Sequence, residues 1–216
     1  MSDSASFVDA RLVEYLAAHV RGDDEFLREL KSAARAAGLP PIWIAPEQAA
    51  LLAVLLGAIG AREVLEIGTL AGYAAIRMAR ALPPGGRLRT LEWSARNAAF
   101  ARGWISRSDV AQRIEVLEGD ARVLLRGIES GTIDACFVDA DKTSYPTYLA
   151  ESERLLRRGG LLLVDNAFAF GQLLDEHPSD REAPALQAFN ELLARSSAFE
   201  SALVPLGDGL WVARRL

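Results

Sequence analysis

Cysteine, histidine and long apolar runs are scarce in this sequence, and each scarcity removes a class of protein. The one cysteine, Cys136, has no partner for an intrachain disulfide, and its place in the apolar run DACFVD reads as a small core residue. The two histidines, His19 and His177, stand far apart in the chain, and neither takes a role. The longest apolar run, around residues 49–59, is too short to span a bilayer. The opening MSDSASFVDA lacks the basic stretch followed by an apolar one that marks a secretory leader. Excess positive charge is absent as well. The 24 basic and 29 acidic residues leave a net charge of −5, which disfavours nucleic acid as a partner. A soluble, cytoplasmic protein with no membrane segment is the expectation.

What is present is core-forming. Half of the 216 residues are hydrophobic and a quarter are charged, a balance that sustains a sizeable core and argues against disorder. The length suits one domain over 1–216, with N-terminal helices over 1–60 and an α/β core over 62–216. Ser6 and Asp9 resemble a start signal for a first helix carrying Leu12, Leu16 and Val20 on one stripe. A second helix begins after Asp23, runs through Phe26, Leu27 and Leu30, and stops at Gly38, Pro40 and Pro41. A third starts at Pro46, a residue suited to a first helical turn.

From residue 62 short apolar runs alternate with helical patterns. The runs are EVLEI (63–67), RLRTLE (87–92), RIEVLE (113–118), DACFVD (134–139) and GLLLVD (160–165). The helical patterns fall at about 72–81, 94–107, 121–129 and 146–157. This alternation predicts a parallel sheet covered on both faces. The closing FESALVPLGDGLWVARRL holds two β-like runs around GDG and predicts an antiparallel hairpin. Residues 170–184, FGQLLDEHPSDREAP, read as a loop.

Ligands of open α/β sheets gather at the carboxyl ends of the strands. Gly68 and Gly72 follow the first strand as G-x-x-x-G, neither a dinucleotide fingerprint nor a Walker loop, and a plain tight turn explains them equally well. Glu92 lies 24 residues beyond Gly68, at the end of the second strand, where an acid can accept from both hydroxyls of a ribose; the alternative is a solvated acid. Asp120, after the third strand, stands where a purine amino group could be read. The runs FVDADKTSY and LLLVDNAF stop at Asp139 and Asp165, with Asn166 beside the second. A carboxylate buried without partners costs several kcal/mol, so these acids require something to bind. Two carboxylates and an amide carbonyl suit a hard cation such as Mg²⁺, Ca²⁺ or Mn²⁺, and they offer no thiolate or imidazole for zinc. Two separate capping acids are the alternative.

Taken in order, VLEIGTLAGYAAIRMARALPPGGRLRTLEW, EGDA, FVDADKTSYPTYL, LLRRGGLLLVDNA and LVPLGDGLWVARR resemble the cation-dependent O-methyltransferases, among them the caffeoyl-CoA and catechol types and bacterial small-molecule enzymes. IWIAPEQAALL resembles the segment before their first strand, and the likeness spans about residues 8–216. The resemblance implies a Rossmann-like class I methyltransferase fold: a mostly parallel seven-stranded sheet with one antiparallel strand, and helices on both faces. It implies S-adenosylmethionine and a divalent cation, Mg²⁺ foremost, as cofactors, with a homodimer as the assembly.

By position, it puts Glu66, Gly68 and Tyr73 around the methionine part of the cofactor, with Ile42, Ile44 and Ala74 also at the cofactor site. It puts Glu92 on the ribose, Asp120 and Ala121 at the adenine, and Asp141 near the amino group. Asp139, Asp165 and Asn166 become metal ligands, with Asp139 at the centre of the chemistry, and Lys142 becomes a base; a surface lysine paired with Asp141 is the alternative. The implied acceptor is a small catechol-like aromatic with two adjacent hydroxyls. A tRNA hydroxyuridine methyltransferase and a degenerate member that binds cofactor without chemistry are the competing readings. Ala74 stands where many members have serine, and Ile42 where many have methionine. After VDN the sequence departs from the family as AFAFGQLLDEHPSD, so segment 167–183 is expected to choose the acceptor. Phe168 and Phe170 either stack on the acceptor or belong to the core.

Overall fold

Seven of the apolar runs become strands: β1 Glu63–Ile67, β2 Arg87–Glu92, β3 Ile114–Glu118, β4 Ile133–Val138, β5 Leu156–Val164, β6 Phe199–Val204 and β7 Leu210–Arg215. They form one sheet in the order β3-β2-β1-β4-β5-β7-β6. β7 runs antiparallel to both its neighbours, and the other pairings are parallel. This is the Rossmann-like methyltransferase sheet that the resemblance implies. The computed structural model describes residues 9–216, so Ser6 lies outside the described residues.

Alternation along the central strands divides the core in two. Val64, Ala135, Phe137, Leu161 and Leu163 face one cluster, while Leu65, Ile67, Cys136, Val138, Leu162 and Val164 face the other. Both faces are apolar because both are covered. The first face carries α2 Glu25–Ala36, α3 Pro46–Ala58, α4 Tyr73–Ala79 and α5 Ala95–Ile105, whose buried residues join the same cluster. The second face carries α7 Tyr145–Leu155 and α8 Ala183–Ala194. Caps explain the starts: Asp9 accepts from Leu12 N at 2.8 Å to open α1 Ala10–His19, and Asp24 accepts from Leu27 N at 3.0 Å to open α2. No helix among the described residues is long and apolar enough to cross a membrane.

Three elements differ from the sequence reading. The helix expected over 121–129 is one α turn, α6 Ala121–Leu124, followed by a 3₁₀ turn at Leu125–Gly127, because Ile128 already adopts extended backbone on the way to β4. β5 starts at Leu156 rather than 160, running through Gly159 and Gly160 with a shift in register against β4. Helix α8 is unanticipated, although Pro184 lies in its first turn and Leu186, Phe189 and Leu193 form a buried stripe.

The tips of β1 and β4 touch. Gly68 has φ +101°, and a Cβ there would lie 1.9 Å from the Asp139 carbonyl oxygen. Gly60, with φ +59°, has open space around the same position. A left-handed backbone alone costs an L-residue about 1–2 kcal/mol. Urea unfolding should therefore show Gly60→Ala losing about that amount, and Gly68→Ala losing clearly more. Equal losses would contradict the close approach of the two strand tips.

Candidate active site

Register sets the acids side by side. Ile67 pairs with Val138, and Val138 with Val164, so the next residues, Gly68, Asp139 and Asp165, stand level on three adjacent strands. Asp139 N donates to Ile67 O at 2.9 Å and Asp165 N to Val138 O at 3.0 Å, continuing the ladder to the tips. Neighbouring strands lie about 4.8 Å apart and level residues of parallel strands share a face, so the two carboxylates are neighbours.

Lys142, in the 3₁₀ turn Lys142–Ser144 beyond β4, answers them. It is 6% exposed, and its Nζ donates to Asp139 Oδ1 at 3.0 Å, Asn166 Oδ1 at 2.6 Å and the Tyr145 hydroxyl oxygen at 2.8 Å. The surface lysine paired with Asp141 is thus not what forms. Asp141 accepts from the Tyr148 hydroxyl at 2.6 Å instead. Asp165 is buried and accepts from Gln48 Nε2 at 2.6 Å. Burial, and then the charge of Asp139, push the Asp165 carboxyl above the usual carboxylate range. The same order of causes, burial and then the Asp139 and Asp165 charges, raises the Tyr145 hydroxyl.

The strand ends open into a cleft of about 700 Å³. All the residues expected at the cofactor line it, as do Lys142 and Asn166, while the buried Asp165 is not among the lining residues. Tyr73 contributes its ring: the hydroxyl is turned away to Asp23 Oδ1 at 2.7 Å, and Lys31 Nζ sits 3.8 Å from the ring centroid. Glu92 is buried rather than solvated. Its Oε2 accepts from Leu70 N at 2.8 Å and Thr69 N at 3.2 Å, and its Oε1 from Ser94 N at 2.9 Å and Asn97 Nδ2 at 3.4 Å. The acid therefore anchors the glycine turn. Asp120 caps α6 through Arg122 N at 2.9 Å and holds the Arg122 guanidinium at 2.7 Å, which keeps its carboxyl below the usual range. Phe170 lines the cleft, whereas Phe168 packs against Gly209.

Among the described residues no cluster of three or more His, Cys, Asp or Glu side chains is arranged to hold a metal. The candidate donor set thus needs the Asn166 carbonyl as its third member. The sequence reading gives no role to Gln48, Tyr145 or Asp208, which hold Asp165, Lys142 and Asn166 respectively. Gln48 and Asp208 lie far along the chain from the residues they hold, and no local pattern in the sequence marks them.

Comparison with known proteins agrees with this architecture. A family described as O-methyltransferase matches residues 17–216. A catechol O-methyltransferase of Mycobacterium tuberculosis is 37% identical over 94% of this chain and 88% of its own length. A catechol O-methyltransferase of Niastella koreensis is 36% identical over 85% of this chain and 84% of its own. The crystal structure of an O-methyltransferase from Bacillus cereus in complex with SAH superposes with a TM-score of 0.87 at 33% identity, covering 95% of this chain and 97% of that one.

Glu66 generates a pH prediction. It is fully buried on β1 with no hydrogen bond to either oxygen, and the Thr90 hydroxyl beside it engages Thr69 at 2.5 Å. Burial, reinforced by the charges of Asp139 and Glu92, pushes its carboxyl up to about 8 from an ordinary 4.5. The folded chain then holds a proton that the unfolded chain has lost, so stability falls as pH rises between those two values. Asp165 adds a fall of the same sign. Glu66→Gln should flatten the decline in unfolding free energy between about pH 5 and pH 8, measured by urea titration at several pH values. An unchanged slope would contradict the protonated, unpartnered state of Glu66.

Proposed function

The chain belongs to the O-methyltransferase family, and from that premise we propose that this S-adenosylmethionine-dependent enzyme methylates one hydroxyl of a small aromatic vicinal diol held on a divalent cation. The observation that carries the proposal is the convergence of Asp139 and Asn166 oxygens on Lys142 Nζ, with Asp165 level with Asp139 on the next strand. All three donors are hard oxygens, and the crowding that raises Asp165 is what a bound cation would relieve. Mg²⁺ is the natural candidate, with Mn²⁺ or Ca²⁺ as substitutes. The names of the two catechol O-methyltransferase relatives support a diol acceptor.

In this reading Asp139, Asp165 and Asn166 hold the cation, which when bound would make a chelated hydroxyl easier to deprotonate. S-adenosylmethionine would supply the methyl group from its sulfonium. Glu66, Gly68 and Tyr73 would enclose its methionine part, Ile42, Ile44 and Ala74 also line the cleft, and Asp141 would serve the amino group. Glu92 receives the ribose, and Asp120 and Ala121 border the adenine. Asp139 and Asn166 cannot serve both the ammonium and a cation fully, so a bound cation would displace the Lys142 ammonium, and once that ammonium has given a proton to solvent the neutral amine would take the acceptor's proton at Nζ. Tyr145, buried beside it, keeps that amine in place. The remaining work is orientation of the two reactants within one cleft.

A homodimer through the N-terminal helices belongs to this reading, supported by Val13 and Tyr15 on α1 and Val54 on α3, all exposed. A cytoplasmic location does too, supported by the single, free thiol of Cys136. The tRNA alternative lacks comparable support. Arg122, the one guanidinium among the cleft's lining residues, is already engaged by Asp120.

Dialysis against EDTA should abolish turnover, and Mg²⁺ or Mn²⁺ should restore it; with metal present, monophenols should react far more slowly than the matching catechols. Full activity in EDTA, or equal rates on phenol and catechol, would reject chelation. Glu92 needs a test that separates the ribose from the turn. A hydrogen bond to a charged group is worth about 1.5–3 kcal/mol, so SAH should bind the native chain roughly ten- to a hundredfold tighter than its 2′-deoxy analogue. That gap should vanish in Glu92→Ala by calorimetry. Persistence of the gap would leave Glu92 as an anchor of the turn alone.

A further inference from the structure

The turn 205–209, between β6 and β7, does more than reverse the chain. It clamps the segment that carries Asn166. Ala167 N donates to Gly209 O at 3.1 Å and Phe168 N to Asp208 O at 2.8 Å. A Cβ on Gly209 would sit 2.7 Å from the Phe168 ring and 2.9 Å from the Phe168 backbone nitrogen, so only a glycine fits against this segment. The Asp208 carboxylate reaches across the same junction. Its Oδ2 accepts from Asn166 Nδ2 at 3.2 Å and from Phe170 N at 3.0 Å. Asn166, Ala169 and Phe170 all have left-handed backbone, with φ of 62°, 53° and 58°. Such conformations persist only where their surroundings enforce them.

The two ends of an asparagine amide have nearly the same shape and opposite chemistry. A carboxylate only accepts, so only the NH₂ of Asn166 can face Asp208. An ammonium only donates, so only the carbonyl can face Lys142, 2.6 Å away. The amide is thus set from both sides. Once a cation takes the place of the ammonium's contacts, Asp208 is the partner that keeps the NH₂ turned away from it. Gln48 serves Asp165 in a parallel way: its Nε2 donates to the carboxylate at 2.6 Å while its Oε1 accepts from Ala45 N at 3.0 Å.

We propose that Asp208 is a positioning residue for cation binding, which orients the Asn166 amide so that its carbonyl oxygen points into the site. The proposal rests on the metal reading above. It reaches the cation only through Asn166, as outer partners of metal ligands commonly do.

The test uses the full chain, with Asp208→Ala and Asp208→Asn compared to the native protein. Mn²⁺ binding is followed by the electron paramagnetic resonance of free Mn²⁺, and SAH binding by calorimetry. Asp208→Ala should weaken Mn²⁺ binding about ten- to a hundredfold and leave SAH binding as it is. Asp208→Asn should recover most of the Mn²⁺ affinity, because its carbonyl can still accept from Asn166 and Phe170. Native Mn²⁺ affinity in Asp208→Ala overturns the proposal alone. A native chain that binds no Mn²⁺ overturns the metal reading, and this proposal with it. Parallel loss of Mn²⁺ and SAH binding in both variants also overturns it, since that is the mark of a collapsed turn.

Discussion

Negative charge is crowded at the tips of adjacent parallel strands, and the cleft is built around it. Glu66, Asp139 and Asp165 lie on or just beyond three neighbouring strands, and Lys142 is the cation paired with Asp139. In a medium of low polarity such a group is stable only if its charges are shared, protonated or paired. The last two responses are present. Glu66 and Asp165 are driven toward their neutral forms, and Asp139 takes the ammonium. A residual imbalance of this kind in a cleft favours whatever positive charge can enter it. Both an ammonium-bearing methyl donor and a divalent cation meet that description.

Strained turns hold the cleft open in a defined shape. Among the described residues four non-glycine residues have positive φ, and all four, Leu70, Asn166, Ala169 and Phe170, lie in the loops at the strand tips. Two carboxylates restrain three of them. Glu92 accepts from Leu70 N, and Asp208 accepts from Phe170 N and the Asn166 side chain. The acids of this site therefore serve as braces as well as candidate ligands. That dual use is a means of preorganisation: the groups that meet a ligand are fixed before it arrives.

Much of this was legible in the sequence because buried parallel strands advertise themselves. EVLEI and RLRTLE match β1 and β2 to the residue, bounded by glycine turns and helix caps. Asp139, Asp165 and Asn166 stood out as polar residues ending apolar runs. What stayed hidden depends on contacts between distant residues. Gln48 meets Asp165 across 117 positions, and Asp208 meets Asn166 across 42. Neither pairing follows from local pattern, so Gln48 read as a helix residue and GDG as a turn. Lys142 could pair locally with Asp141 or Asp139, and only the fold, by sending Asp141 to Tyr148, decides between them. Helix α8 had a readable stripe, obscured by the polar residues that precede it.

The proposed site treats Asp139, Asp165 and Asn166 as ligands of one cation rather than as separately capped acids. Anomalous diffraction from crystals grown with Mn²⁺ and SAH tests it most directly. One cation site would give a single strong anomalous peak within about 2.0–2.6 Å of oxygens from all three side chains, with Lys142 Nζ withdrawn from Asp139 and Asn166. A cleft holding SAH with no peak at those oxygens, and with the ammonium still bridging Asp139 and Asn166, would contradict it.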